Sequence, residues 1–142
     1  ISLGLVGSEM CIRDRYMDRT NWSGTLGEGV ENVIGNIFDG NTGSDIAANS
    51  APWEFTLDLG AETTMLGANT RHWESGYAPR SIEVLTSPDN ATWKSHGTLA
   101  VSGGTQNWRF LKPVTARYLR YRVMSPNGRT DVTEFNIYVA KQ

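Results

Sequence analysis

Cysteine is nearly missing from this chain: 142 residues hold one, Cys11. Thiols therefore say nothing about redox compartment. Histidine occurs only twice, at His72 and His96, and the two match no zinc spacing and sit on no helical pattern. Long apolar runs are absent. The longest are a few residues, far below the roughly 20 needed to cross a bilayer. Charge of one sign is absent too. The formal net charge is -2, and without basic clusters this argues against nucleic acid as a partner. No internal repeat, low-complexity linker, G-x-S-x-G elbow or phosphate-cradling glycine loop appears. What is present is ordinary: 39% hydrophobic and 20% charged residues. That composition and length suit a single domain. Folding at this size buries roughly two thirds of the unfolded chain's surface, enough for one core without help from metal or disulfide.

The first residues behave differently from the rest. Leu5 to Arg15 reads LVGSEMCIRDR, with no period of two, no helical apolar stripe and no turn logic leading onward. Ile1 to Val6 is too short for a signal-peptide core and no basic stretch precedes it. The eleven residues look like a translated transposase-type sequencing adapter. Residues 1–15 are accordingly expected to be a non-native leader, and residues 16–142 the domain, a fragment of metagenomic character. Discounting Glu9, Asp14, Arg13 and Arg15 removes two charges of each sign and leaves the net charge at -2.

From Trp53 onward the period is two. Phe55, Leu57 and Leu59 alternate with Thr56 and Asp58, and Ile82 and Val84 with Ser81 and Glu83. Leu119, Tyr121 and Val123 alternate with Tyr118, Arg120 and Arg122. Phe135, Ile137 and Val139 repeat the pattern near the end. Successive strand side chains point to opposite faces, so each segment is a half-buried strand. Turn chemistry separates them at Leu59-Gly60, Ser87-Pro88-Asp89-Asn90, Ser102-Gly103-Gly104 and Ser125-Pro126-Asn127-Gly128. Short strands at this spacing, with only Glu31 to Phe38 hinting at a helical turn, predict an all-β sandwich of antiparallel sheets. Trp93 and Trp108 are expected in the core. Trp53 opens a strand and fits either face, Trp22 covers the open end of the core, and Trp73 stands at a strand end beside a loop.

Five segments in order carry a resemblance: Ile37-Phe38-Asp39-Gly40-Asn41, Pro52 to Gly60, Ser87-Pro88-Asp89-Asn90-Ala91-Thr92-Trp93, Ala116 to Val123, and Thr133-Glu134-Phe135. Together they resemble the coagulation factor 5/8 type C, or discoidin, family. Bacterial family 32-like carbohydrate-binding modules of the galactose-binding-like superfamily share the pattern. The resemblance implies an eight-stranded antiparallel jelly-roll β-sandwich.

Asp39-Gly40-Asn41 is, on its own residues, either a surface turn with Gly40 at positive φ or a calcium loop. Calcium takes six to eight hard oxygens, backbone carbonyls among them. The resemblance implies a structural Ca2+ held by the carbonyls of Asn36 and Asn41, the Asp39 carboxylate, the Ser44 hydroxyl and carbonyl, the Thr133 carbonyl and the Glu134 carboxylate. Glu134 opens an apolar strand, where an unpaired carboxylate would be costly to bury and a cation would offset that cost.

The resemblance also implies a shallow glycan site on loops at one end of the sandwich. Arg71-His72-Trp73-Glu74-Ser75-Gly76-Tyr77 has the required chemistry. Aromatic faces stack on sugar C–H groups, while guanidinium, imidazole and amide groups bind hydroxyls. The candidate ligand residues are Arg71, His72, Trp73, Tyr77, Asn127 and Arg129, with Asp45 to Ser50 lining the same end. The alternative is that Trp73 and Tyr77 cap the core while Arg71 and Glu74 are solvated. Where galactose-binding relatives often carry Trp-His, this chain has Ile46-Ala47, and Ser125 to Asp131 lacks the aromatic that many relatives use.

No catalytic set is expected, and short sandwich loops leave little room for a glycosidase cleft. The expected function is a non-catalytic carbohydrate-binding module of a secreted, periplasmic or cell-surface protein, of the kind appended to a glycoside hydrolase or other enzyme. The alternative is a structural or adhesive spacer among neighbouring domains, without a ligand of its own. Polar loops argue against membrane binding. Asn21-Trp22-Ser23 and Asn90-Ala91-Thr92 fit glycan acceptor motifs. Trp73 discriminates between the two functions: exposure beside Tyr77, Arg71 and Asn127 favours a sugar site, burial under the sheet favours the spacer.

Overall fold

A computed structural model describes residues 3–5, 14–125 and 128–140. Cys11, Asn127 and most of the 1–15 leader lie outside the described residues. The strands are β1 (Leu3–Leu5), β2 (Asp14–Tyr16), β3 (Ser23–Leu26), β4 (Ile46–Ala48), β5 (Trp53–Arg71), β6 (Ser81–Ser87), β7 (Lys94–Ala100), β8 (Thr105–Ser125), β9 (Thr130–Val132) and β10 (Glu134–Ala140). Every pairing among them is antiparallel. The eight from β3 onward are the strands of the jelly roll. Two short 3-10 turns, Ile34–Ile37 and Ser75–Tyr77, complete the regular structure. The first lies within the segment whose sequence hinted at a helical turn. Among the described residues no helix is long and apolar enough to cross a membrane.

Two long strands organise the molecule. β5 and β8 run side by side from Trp53 opposite Val123 to Arg71 opposite Thr105, with register breaks between Asp58/Thr63 and Met65/Gly67. The breaks fall where both strands turn from one layer into the other, as bulges bend strands. Gly67 is required at the second: a Cβ there would lie 2.8 Å from the Arg109 Cα. Before the bend, β5 is flanked by β3 and β8, and β8 by β6. Beyond it, β5 pairs with β10.

The alternation read in the sequence fills the space between the layers. Phe55, Leu57, Leu119, Tyr121, Val123, Ile82 and Val84 point inward and are fully buried. They meet Trp108, Phe135 and Ile137 from the other layer. The Phe55 and Phe135 rings cross edge-on at 5.5 Å, and Tyr121 and Phe135 do so at 5.4 Å, the geometry that aromatic quadrupoles favour. Trp53 is buried and donates its indole N–H to Thr130 Oγ1 at 2.6 Å. Trp22 is buried against Phe38. The outward residues of the same strands form a ladder: Arg122 bonds Glu54 (3.0 Å) and Glu83 (2.7 Å), Arg120 bonds Glu54 (3.1 Å), and Arg117 bonds Asp58 (2.9 Å). Cross-strand pairs of opposite charge hold register at modest energy.

Trp93 departs from the expectation that it packs in the core. It follows the Ser87–Asn90 turn and lies half-buried on the outer face, with the Arg120 guanidinium 4.0 Å from its ring centroid. A cation over an aromatic face is attracted by the ring quadrupole, so the ring serves the outer ladder. Truncating the two rings should separate these roles in urea denaturation. Phe135→Ala should cost about 3–5 kcal/mol, and Trp93→Ala about 1 kcal/mol. Equal losses would contradict the outward placement of Trp93.

Candidate functional site

Two constructions share the region where β5 and β10 meet the loops. The first is the 39–44 loop. Gly40 turns it at φ +77°, in the left-handed region that favours glycine. Asp39 anchors it, accepting from the Asn41 N–H (2.8 Å) and the Ser44 hydroxyl (2.6 Å). Ser44 also donates to the Asn41 carbonyl at 3.1 Å. Glu134, at the start of β10, reaches the same loop from the far end of the chain. Its Oε2 accepts the Gly40 N–H at 3.2 Å, and its Oε1 lies 2.9 Å from Arg19 Nη1. Arg19 continues to the carbonyls of Phe135 (3.0 Å) and Ile37 (3.3 Å).

The electrostatics follow from this crowding. Burial raises the Glu134 carboxyl, Arg19 opposes the rise, and the nearby Asp39 charge adds to it. For Asp39, partial burial acts upward. Hydrogen bonds from the Ser44 hydroxyl and the Asn41 N–H outweigh it and hold the group below its ordinary value. Two carboxyls thus converge beside a hydroxyl and a backbone carbonyl, and the Thr133 hydroxyl next to Glu134 is buried with no hydrogen-bond partner. This all-oxygen donor set fits a hard divalent cation. Asn36 sits at the loop's edge, its side-chain amide donating to the Asp45 carbonyl at 3.0 Å.

The second construction is the turn after β5. Trp73 is 61% exposed, and its backbone N–H donates into both oxygens of Asp131, at 3.1 and 3.3 Å. His72 is buried, with ring Nδ1 against the Asp131 carbonyl and backbone N–H on the Gly104 carbonyl at 2.8 Å. Burial lowers its pKa, so the ring is neutral near pH 7. It props the turn from beneath. Arg71, the last residue of β5, is exposed, and its guanidinium has no ion pair or hydrogen bond among the described residues. Arg71, His72, Trp73, Thr42, Thr105 and Thr133 line an open groove of about 320 Å3.

The structure brings Arg71, His72 and Trp73 together around this groove. Tyr77 is half-buried in the 3-10 turn and does not line the groove. Arg129 does not line this groove; it is bonded to Glu31 (2.9 and 3.2 Å) and to Asn49 (2.9 Å) of the 45–50 segment expected at the same end. Asn127 lies outside the described residues.

Arg19 and Asp131 carry much of this arrangement and were not singled out by the sequence. Asp131 is buried at the centre of the β4–β9 ribbon, opposite Ala47, where Ile46–Ala48 pairs with Thr130–Val132. Burial, and then the neighbouring Asp45 carboxyl, push its pKa up to about 7, while the Trp73 N–H works the other way. Asp45 is itself held by Asn32 at 3.0 Å. No local motif marks either residue, since each finds its partner through tertiary contact.

The family profile of the F5/8 type C domain matches residues 19–136. No curated protein sequence matches the chain. Among solved structures it is similar to the C-terminal domain of a chitobiase from Bacteroides fragilis. That match has a TM-score of 0.75 and 16% identity, and covers 90% of this chain and 100% of the other. It is similar to the family 32 carbohydrate-binding module of NanJ from C. perfringens in complex with galactose (TM-score 0.74, 14% identity, 89% and 99% covered). It is also similar to the family 32 module of AlyQ in complex with 4,5-unsaturated mannuronic acid (TM-score 0.65, 23% identity, 89% and 99% covered). At these identities the likeness is one of fold.

Asp131 generates a pH prediction. Its folded pKa lies above its ordinary 3.8, so the folded state holds a proton that the unfolded state has released, and stability falls as pH rises through about 7. His72 and His96, lowered by burial from 6.5, act in the opposite sense only below that value. Melting temperature, measured in chelator, should therefore drop by a few degrees between pH 6.5 and about 8. Asp131→Asn should flatten the drop. A profile that rises over this range in the wild type would contradict the buried carboxyl pair.

Proposed function

The chain belongs to the F5/8 type C domain family, and we propose that it is a non-catalytic carbohydrate-binding module, stabilised by calcium, from a secreted or surface-exposed protein. The observation that carries the reading is Trp73. An indole 61% exposed at a strand end costs free energy as an isolated surface group, yet its backbone is fixed by Asp131 and its neighbour His72 is buried as a prop. Such a pre-organised aromatic beside a groove lined with hydroxyl and guanidinium groups suits the stacking of a sugar ring. In a spacer without a ligand, Trp73 would be expected beneath the sheet, so its exposure supports binding.

The calcium part rests on the 39–44 loop. Asp39, Asn41 and Ser44 would hold the ion from one side and Glu134, with the Thr133 carbonyl, from the other; Asn36 would add a carbonyl at the rim. The ion would supply positive charge beside Glu134, whose proton affinity the Asp39 charge raises, and would fix the N-terminal loop to β10. Neighbouring catalytic or adhesive domains of a larger protein would then receive a rigid, ligand-bearing module. Relatives of this fold are in complex with a neutral hexose and with an unsaturated uronic acid, so the fold by itself leaves the sugar's charge open.

Two measurements test the proposal. On a glycan array the wild type should retain at least one glycan class, and Trp73→Ala should lose it. Binding by neither protein would remove the lectin reading and leave the spacer. In differential scanning calorimetry, millimolar calcium should raise the melting temperature by several degrees and chelator should reverse the rise. Asp39→Asn and Glu134→Gln should abolish the calcium-dependent difference, whatever each does to basal stability. A wild type whose melting temperature ignores both calcium and chelator would refute the metal assignment.

A further inference from the structure

Resting on the glycan-binding reading above, we propose that the groove beside Trp73 selects acidic sugars, with Arg71 on the sugar carboxylate and Trp73 under the ring. The groove holds one formal charge among its lining residues, the Arg71 guanidinium; the rest are Trp73, a neutral His72 and the threonines 42, 105 and 133. A guanidinium on a protein surface usually finds a carboxylate of its own chain, and this one has a nominal candidate. Arg71 and Glu134 stand directly opposite each other in the β5–β10 register.

That pairing is not made. Glu134 spends one oxygen on Arg19 and the other on the Gly40 N–H. Asp39, the next carboxylate in the loop, is bonded to Ser44 and the Asn41 N–H. Asp131, below Trp73, takes the Trp73 N–H on both oxygens. These three carboxyls are committed to other donors; Glu74, next to Trp73, is exposed and does not line the groove, and Arg71 keeps its fork of N–H groups free among the described residues. Arg71 is the one cationic side chain lining the groove, so it would act as a local anchor for one anionic group. The fork matches a carboxylate bidentately.

The placement also suits a pyranose. Arg71 and Trp73 are separated by one residue, His72, whose side chain is buried while theirs are exposed. Guanidinium and indole therefore border the same groove. A ring stacked on the indole would present a substituent carboxylate to the guanidinium. A neutral sugar offers only a hydroxyl there and leaves the charge to solvent.

The test uses matched glycan pairs that differ in carboxylate against hydroxymethyl at C6: tetragalacturonate against galactotetraose, and a mannuronate tetramer against mannotetraose. Titrations by calorimetry would be run on the whole chain with calcium present. The wild type should bind the acidic member of at least one pair about tenfold or more tighter than its neutral partner, the scale of a charge-assisted hydrogen bond. The preference should shrink as sodium chloride is raised. Arg71→Gln should bring the acidic glycan down to the neutral partner's affinity, Arg71→Lys should restore part of the preference, and Trp73→Ala should weaken both members. Equal or tighter binding of the neutral members by the wild type would overturn the inference while leaving the glycan reading in place. So would an acidic preference that survives in Arg71→Gln. Failure of the wild type to bind either member of any pair, together with a blank glycan array, would overturn both.

Discussion

Glu134 is a carboxylate buried at the mouth of the last strand, and the surrounding structure is arranged to neutralise it. Arg19 supplies a full positive charge and Gly40 a backbone N–H, at 2.9 and 3.2 Å. Removing a carboxylate from water without such partners costs several kcal/mol. The partners come from the N-terminal segment and from the 39–44 loop, so satisfying one side chain fixes three parts of the chain that are distant in sequence. Asp39 then enters the same space, and its charge raises the proton affinity of Glu134.

The same commitment shapes the neighbouring groove. Because Glu134 is taken, its register partner Arg71 is left facing solvent. Asp131 is likewise taken by the Trp73 N–H, which fixes the indole outward. The groove is thus lined by groups that the folding of the scaffold leaves over, on backbone that the scaffold holds still. Pre-organisation of this kind lowers the ordering cost of binding, and siting the residues at the end of β5 gives more positional certainty than a free loop would.

Much of the architecture was legible in the sequence. Phe55, Leu57, Leu119, Tyr121, Val123 and Phe135 alternate with polar neighbours, and each is buried. The turns at Ser87–Asn90 and Ser102–Gly104 fall between strands, but Leu59-Gly60 lies inside β5 at its register break; the approach of the Asp39 loop to Glu134 was anticipated from the motif resemblance. Other features were not legible. Trp93 has the composition of a core residue, yet its ring lies over Arg120 on the outer face, because the turn before it sets its direction. Arg129, expected at the ligand surface, is held by Glu31 and Asn49. His72 stands in the expected segment but is buried as a prop, and Arg19 and Asp131 carried no local signal.

The division has a physical basis. Strand alternation, turn positions and the supply of aromatic and charged groups are local properties, set by backbone sterics and by side-chain polarity along a few consecutive residues; the chain determined these before any contact was made. Which carboxylate meets which cation is a property of register and of approach between distant segments. Charge neutralisation is exclusive: once Arg19 and Gly40 occupy Glu134, Arg71 must look elsewhere. Only the tertiary structure decided that competition, and with it which of the chain's charges remained free to meet a ligand.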